Sequence, residues 1–453
     1  MTHAVERRLG RDRLLGYGVG SVGTGVFSAV PGLLLLYYLT DVLGVPASLA
    51  GAVLVAPKIW DVLLNPLVGA ASDREAVRTG RRTRLLAVGA ATLPVTFALM
   101  FAVPGGLPGG AAGALWPGAA FLLAATAFAC FQVPYVALPA EMAGTQAART
   151  RIMSWRVVCL TVGILVAGGL APAVVDLAGG GRAGYAVMGV VVGAVMAAAL
   201  AAATLATRWV PSRPGPRQLG LVAAVRLARG NLPFFVLLTA FVTQALAVAV
   251  MLAGAPYVAS YRLGDYGLTS VMFVCLVGPS MLAVPGWAWL ARRHGPVRCY
   301  LAASAGFCAV AFALIPAIAA AGPGAGAGTG GLVATLALTA LAGVCYAALQ
   351  LLPLSLLPDT VHADAARTGQ AQSGAFTGLW TAGETAGLAL GPGLFALVLA
   401  GSGFVSAPTE SPVPQEPAAL TGLLLGFTAL PALLMLISLP FVAWYGRLAK
   451  EPV

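Results

Sequence analysis

The chain has 453 residues, 59% of them apolar and only 9% charged, with a mean hydropathy of +0.90 and a net charge of +11. A soluble domain spends about a quarter of its residues on Asp, Glu, Lys and Arg, so a water-soluble globule is excluded. The apolar content excludes disorder, and the 57 glycines lack the three-residue period of collagen, which leaves a polytopic membrane protein.

A helix needs about 20 mostly apolar residues to cross the hydrocarbon. The sequence predicts twelve such spans, at residues 14–40, 46–72, 83–104, 113–140, 152–177, 183–208, 232–258, 267–291, 297–321, 331–358, 371–402 and 418–447. No small-residue cleavage site follows the basic opening MTHAVERRLGRDR at the usual distance, so the next run reads as the first span and not as a removed signal. That span holds Gly18-x-Gly20-x-x-Gly23, which matches a dinucleotide fingerprint. No strand precedes it, and glycines inside an apolar run serve close helix packing. The second span carries Lys58, Asp61 and Asn65 at spacings of three and four, on one helical face. An ionisable side chain at membrane depth costs about 2.5 to 3.5 kcal/mol on insertion scales, so each needs a reason. A buried Lys58–Asp61 pair that only ties helices together is one; a transport site is the other.

The fourth span holds Gln132, Tyr135 and, near its end, Glu141; the fifth begins with Arg149, Arg151 and Arg156. The basic, Pro-rich stretch WVPSRPGPRQLGLVAAVRLARGN then separates an N-terminal six-helix bundle (1–208) from a C-terminal one (231–453), with 209–230 as linker. Its LGLVAAVRLARG segment reads either as a short surface helix or as plain linker. SDREAVRTGRR after the second span and LARRHGPVR after the eighth occupy matching positions, a sign of two related halves. The eleventh span carries Trp380 and, one turn on, Glu384, with no basic residue three or four positions away. The six cysteines form no C-x-x-C and the histidines lie apart from them, so neither a metal site nor an enzyme is expected. With the N-terminus inside, 22 of the 26 Lys and Arg residues fall on one side of the membrane and two, Arg182 and Arg262, on the other. This asymmetry predicts cytoplasmic termini, an even number of spans and residence in the cytoplasmic membrane.

Three blocks resemble a known family. They are YGVGSVGTGV with LLLYYLTDVLGVPASLAGAVLVAPKIWDVLLNPLVGAASDREAVRTGRRTRLL, VPYVALPAEM with ARTRIMSWR, and LPDTVHADAARTGQAQSGAF before GLW. Together they are similar to the glycoside/pentoside/hexuronide:cation symporters, the melibiose permease group of the major facilitator superfamily. The resemblance covers both halves. It implies an all-α membrane fold of twelve transmembrane helices in two pseudo-symmetric six-helix bundles, and transport of a sugar- or glycoside-like solute by alternating access. It also implies no cofactor beyond a coupling ion, H+ or Na+, and no partner beyond solute and lipid bilayer: no nucleic acid, and a monomer.

The resemblance further implies residue roles. Cation-coupling positions fall at Asp61, Asn65 and Gln132, the last two being amides where the family has carboxylates, and Glu384 stands where the family has a lysine. Substrate-contact positions fall at Thr24, Gln132, Tyr135, Arg156, Trp380 and Glu384, while two sugar-binding positions are reduced to Gly25 and Val136. Sodium needs several hard oxygen ligands with negative charge, so the loss of two carboxylates moves the expectation to protons carried by Asp61 and Glu384. The reduced sugar positions and Arg156 leave open an amphipathic, anionic or lipid-like solute, possible for export, with altered or no coupling. Asp73, Arg74, Arg81 and Arg82, with Glu141 and Arg149, and Asp359 with Arg367 in the other half, are expected to latch the cytoplasmic side through ion pairs; the alternative is that they signal topology alone.

Overall fold

The computed structural model describes residues 11–105, 110–143, 145–211, 229–322, 328–368, 373–408 and 413–448. Every element among the described residues is helical, and twelve helices are long and apolar enough to cross a membrane. They are Leu14–Leu35, Ala47–Thr79, Thr83–Phe101, Gly110–Pro139, Arg151–Leu177, Gly181–Thr207, Leu232–Tyr261, Leu268–His294, Pro296–Ala321, Thr329–Val361, Phe376–Gly401 and Pro417–Leu448. These are the first to twelfth spans below. Two expected loops are helix instead. SDREAVRT continues the second span to Thr79, and LPDTVHADAART continues the tenth to Thr368. Ala, Arg, Glu and Leu are strong helix formers, so loss of hydropathy marks the end of the apolar stretch and not the end of the helix. The expected surface helix over LGLVAAVRLARG lies, but for Arg229 and Gly230, outside the described residues.

The chain divides into two compact units, Met1–Pro216 with Ser406–Val413, and Arg217–Val405 with Pro414–Val453. In the first unit the major packing pairs are first with fifth, first with sixth, second with fourth, third with fourth and third with sixth. Adding six to each number gives the major pairs of the second unit, from seventh with eleventh to ninth with twelfth. Two halves that fold by one pairing scheme are the two pseudo-symmetric six-helix bundles expected from the sequence.

Local chemistry sets the helix ends. Gly80, at φ +66°, ends the second span in the left-handed region, and its N–H bonds the Ala76 carbonyl at 2.9 Å. The Glu75 carboxylate accepts from the N–H groups of Arg84 (2.7 Å) and Leu85 (3.1 Å), satisfying two of the orphan donors that open the third span. Asn231 caps the seventh span through Phe234 N–H at 3.0 Å, and its amide reaches the Thr360 carbonyl of the tenth at 3.0 Å. The first and fifth spans meet backbone to backbone: a Cβ on Gly163 would sit 2.3 Å from the Val22 carbonyl oxygen. On the second span Ile59, Leu63 and Leu67 form an exposed row four residues apart, a stripe that lipid can solvate and water cannot.

Candidate functional site

The turn after the second span builds an ion cluster. Arg82, only 6% exposed, points Nη1 at Asp73 Oδ1 (2.7 Å) and at Ser72 Oγ (2.8 Å), and Nε at Glu141 Oε1 (3.0 Å). One guanidinium thus ties the end of the second span, the start of the third and the end of the fourth. Burial works against its charge, but the two carboxylates outweigh burial and hold its pKa above the ordinary arginine value. Three of the expected latch residues therefore come together, all within one unit. Arg74 and Arg81 are exposed and form no ion pair within 4 Å among the described residues. Asp359 is likewise exposed and forms no ion pair within 4 Å among the described residues. The side chains of Arg149 and Arg367 lie outside those described.

Within the first unit's spans, Asp61 is buried and its Oδ1 has no hydrogen-bond partner. Lys58 is half-buried and comes no nearer than 4 Å to it, so the pair expected from their spacing is not closed into a salt bridge. Asn65, expected on the same buried face, is exposed. Thr24 is buried and donates its hydroxyl to the Ser21 carbonyl at 3.3 Å. Tyr135 stacks on Tyr17 with centroids 4.5 Å apart, lies 2.8 Å from Ser21 Oγ and donates to the Tyr17 carbonyl. Both expected solute contacts are therefore sealed into contacts of the first span with itself and the fourth. The other such groups in this unit's spans are Gln132 Oε1 and Arg156 Nε, buried and without hydrogen-bond partners among the described residues. The Arg156 guanidinium lies 6.0 Å from the Tyr135 ring centroid, at the edge of cation–π range.

In the second unit, one helical turn places Trp380 and Glu384 on the same side of the eleventh span. The indole is 2% exposed and stacks on Phe241 of the seventh span at 4.4 Å, while its Nε1 has no partner. Glu384 lines a cavity with Phe241, Gln244, Tyr346 and Gln350. Gln244 is already committed: it donates to Ser304 Oγ (3.1 Å) and Ser438 Oγ (2.9 Å) and accepts from the Tyr300 hydroxyl (2.7 Å). Gln350 donates to the Tyr346 hydroxyl at 3.1 Å. Gln244, Tyr346 and Gln350 were not singled out from sequence. Their only signal there is an uncharged polar group in an apolar run, which is too common to stand out.

A family model described as MFS/sugar transport protein matches residues 16–446. Among curated relatives, the "Uncharacterized symporter YjmB" of Bacillus subtilis (strain 168) is 24% identical over 298 residues, 65% of this chain and 64% of its own length. The "Putative glycoside/cation symporter YagG" of Escherichia coli (strain K12) is 28% identical over 174 residues, 38% of this chain and 37% of its own. A "Putative 2,3-dihydroxypropane-1-sulfonate exporter" of the same organism is 26% identical over 301 residues, 65% of each chain. The chain spans less than two thirds of the length of each of these relatives. Among solved structures, a bacterial homologue of the human lysosomal transporter Spinster, inward-facing and occupied, superposes with a TM-score of 0.69 at 13% identity, covering 96% of both chains. The nucleoside transporter NupG gives 0.65 at 13% identity, covering 98% of this chain and 100% of its own. At that identity the likeness is one of fold.

Proposed function

The chain belongs to the MFS/sugar transport protein family, and from that premise we propose that this multi-pass transporter moves a sugar- or glycoside-like solute across the cytoplasmic membrane by alternating access, coupled to protons. The observation that carries the coupling is Asp61, buried in the second span with a carboxylate oxygen that has no hydrogen-bond partner, and with no cation within 4 Å, among the described residues. A sodium ion would need further hard, negatively charged oxygens. Asn65 is exposed and Gln132 brings an uncharged amide, whereas a proton needs one carboxylate that is alternately covered and released. Gln132 and Arg156 in one unit, and Trp380 and Glu384 in the other, supply the polar atoms left for the solute.

The test is uptake of a labelled glycoside into proteoliposomes under separate gradients. An inward proton gradient is expected to drive accumulation and a sodium gradient is not; Asp61→Asn should lose gradient-driven accumulation while keeping solute binding. Accumulation that follows sodium and ignores protons overturns the coupling. A second reading, outward movement of an anionic solute, draws on the buried, unpartnered Nε of Arg156 and on the relative named as a sulfonate exporter. It predicts counterflow of a small hydroxylated sulfonate that Arg156→Gln abolishes.

A further inference from the structure

The Glu384 cavity has a chemical character that sugar transport alone does not call for. Its wall comes from three spans: Phe241, Gln244, Ala245 and Val248 of the seventh, Tyr346, Leu349 and Gln350 of the tenth, and Glu384 and Leu388 of the eleventh. A sugar site needs several free donors and acceptors for a ring of hydroxyls. Here Gln244 is satisfied by Ser304, Ser438 and Tyr300, and the Gln350 amide spends one N–H on the Tyr346 hydroxyl. Beside them stands a carboxylate that makes no hydrogen bond or ion pair among the described residues, set with the rings of Phe241 and Tyr346, with Trp380 stacked behind Phe241. Among the described residues no Lys, Arg or His lines the cavity, and the other titratable group there is the Tyr346 phenol. A carboxylate without an ion pair, with aromatic faces beside it, attracts a cation that keeps some apolar surface.

We infer that this cavity is a recognition site for the ammonium group of the transported solute, so that the solute class is a hydroxylated or small organic molecule bearing a basic nitrogen. The inference rests on the reading of Glu384 as a solute contact and narrows it. An ammonium that enters sets its charge against the carboxylate, and any proton the carboxylate carries leaves to solvent, one positive charge exchanged for another.

Choline and its uncharged carbon isostere 3,3-dimethylbutan-1-ol, and glucosamine and glucose, are matched pairs that differ in positive charge. Binding to the purified full chain in detergent is followed by calorimetry, and proton release by a pH dye in unbuffered solution. The cationic member of each pair should bind at least tenfold more tightly and release up to one proton per chain. Glu384→Gln should remove both the preference and the proton release. A thermal melt establishes that each variant is folded; if Glu384→Gln is not, Glu384→Asp takes its place and should keep the preference at reduced affinity. Neutral members that bind as well as their cationic partners, a preference that survives Glu384→Gln, or no binding of either ammonium overturns the inference. Glucose-type binding without charge preference would overturn it while leaving sugar transport intact, and failure of gradient-driven uptake with the ammonium preference intact would do the reverse.

Discussion

Arg82 shows how one side chain joins three helix ends. Its two carboxylate partners differ in worth, because Asp73 is 54% exposed and Glu141 only 11%. An exposed pair contributes about 0–1 kcal/mol, whereas removing one member of a buried pair costs about 3–5 kcal/mol, since the other charge is left without compensation. Most of the effect of Arg82→Gln should therefore come through Glu141, at about 3 kcal/mol, the low end of the buried range. Melting of the detergent-solubilised protein is the readout. Glu141→Gln in the same chain should recover part of the loss, and Asp73→Asn should recover little; equal recovery by both would contradict the assignment. Arg82→Lys keeps the charge but not the planar fork that serves Asp73, Ser72 and Glu141 at once, and should fall between. The raised pKa of Arg82 adds stability that is complete below the ordinary arginine value and is lost only as pH climbs through the higher folded-state value. The cation is thus constant at working pH.

The crossing of the first and fifth spans makes a prediction about elements. A Cβ at Gly163 would meet the Val22 carbonyl oxygen at 2.3 Å and Val22 Cα at 2.9 Å, both backbone, so no side-chain rotation can relieve the clash. At Gly69 of the second span the nearest atom is Val133 Cγ1 at 3.9 Å, an ordinary contact. Gly163→Ala should lower stability by about 1–3 kcal/mol through overpacking. Gly69→Ala should be neutral or raise it by up to about 1 kcal/mol through helix propensity. If the two variants melt alike, the close approach of the helices is not what Gly163 provides. The spans themselves were legible because 20 apolar residues in a row have few other uses. Their ends were less so: SDREAVRT and LPDTVHADAART keep helical propensity after hydropathy stops, and Pro31 and Tyr38 open π-turns that no apolar period announces. Asp61, Arg156 and Glu384 were visible as charges at membrane depth. That Thr24 and Tyr135 are sealed into packing was not, because both depend on which face of the first span meets the fourth, and spacing along one helix says nothing about its neighbour.

At the scale of the whole molecule the open question is direction, and the distribution of charge addresses it. Lys and Arg in short loops are retained on the cytoplasmic side, and acidic residues contribute little to the choice. The loops on the Arg-rich side carry 22 basic residues against two on the other, a difference that no reassignment of a few helix ends can reverse. Twelve spans that each cross once would alternate sides, so the loops of both halves contribute to the count. Arg182, at the start of the sixth span, and Arg293, at the end of the eighth, lie on opposite sides in this scheme. In a chain whose six native cysteines are replaced by serine or alanine, Arg182→Cys in intact cells should react with a membrane-impermeant maleimide. Arg293→Cys should react only after the membrane is opened. The reverse pattern would place the ion cluster of Arg82, Asp73 and Glu141 on the outer face and invert the direction of transport inferred from any gradient experiment. Both cysteines labelled alike in intact cells would mean that the two positions share a side, and the odd count of three spans from one to the other would have to be redrawn.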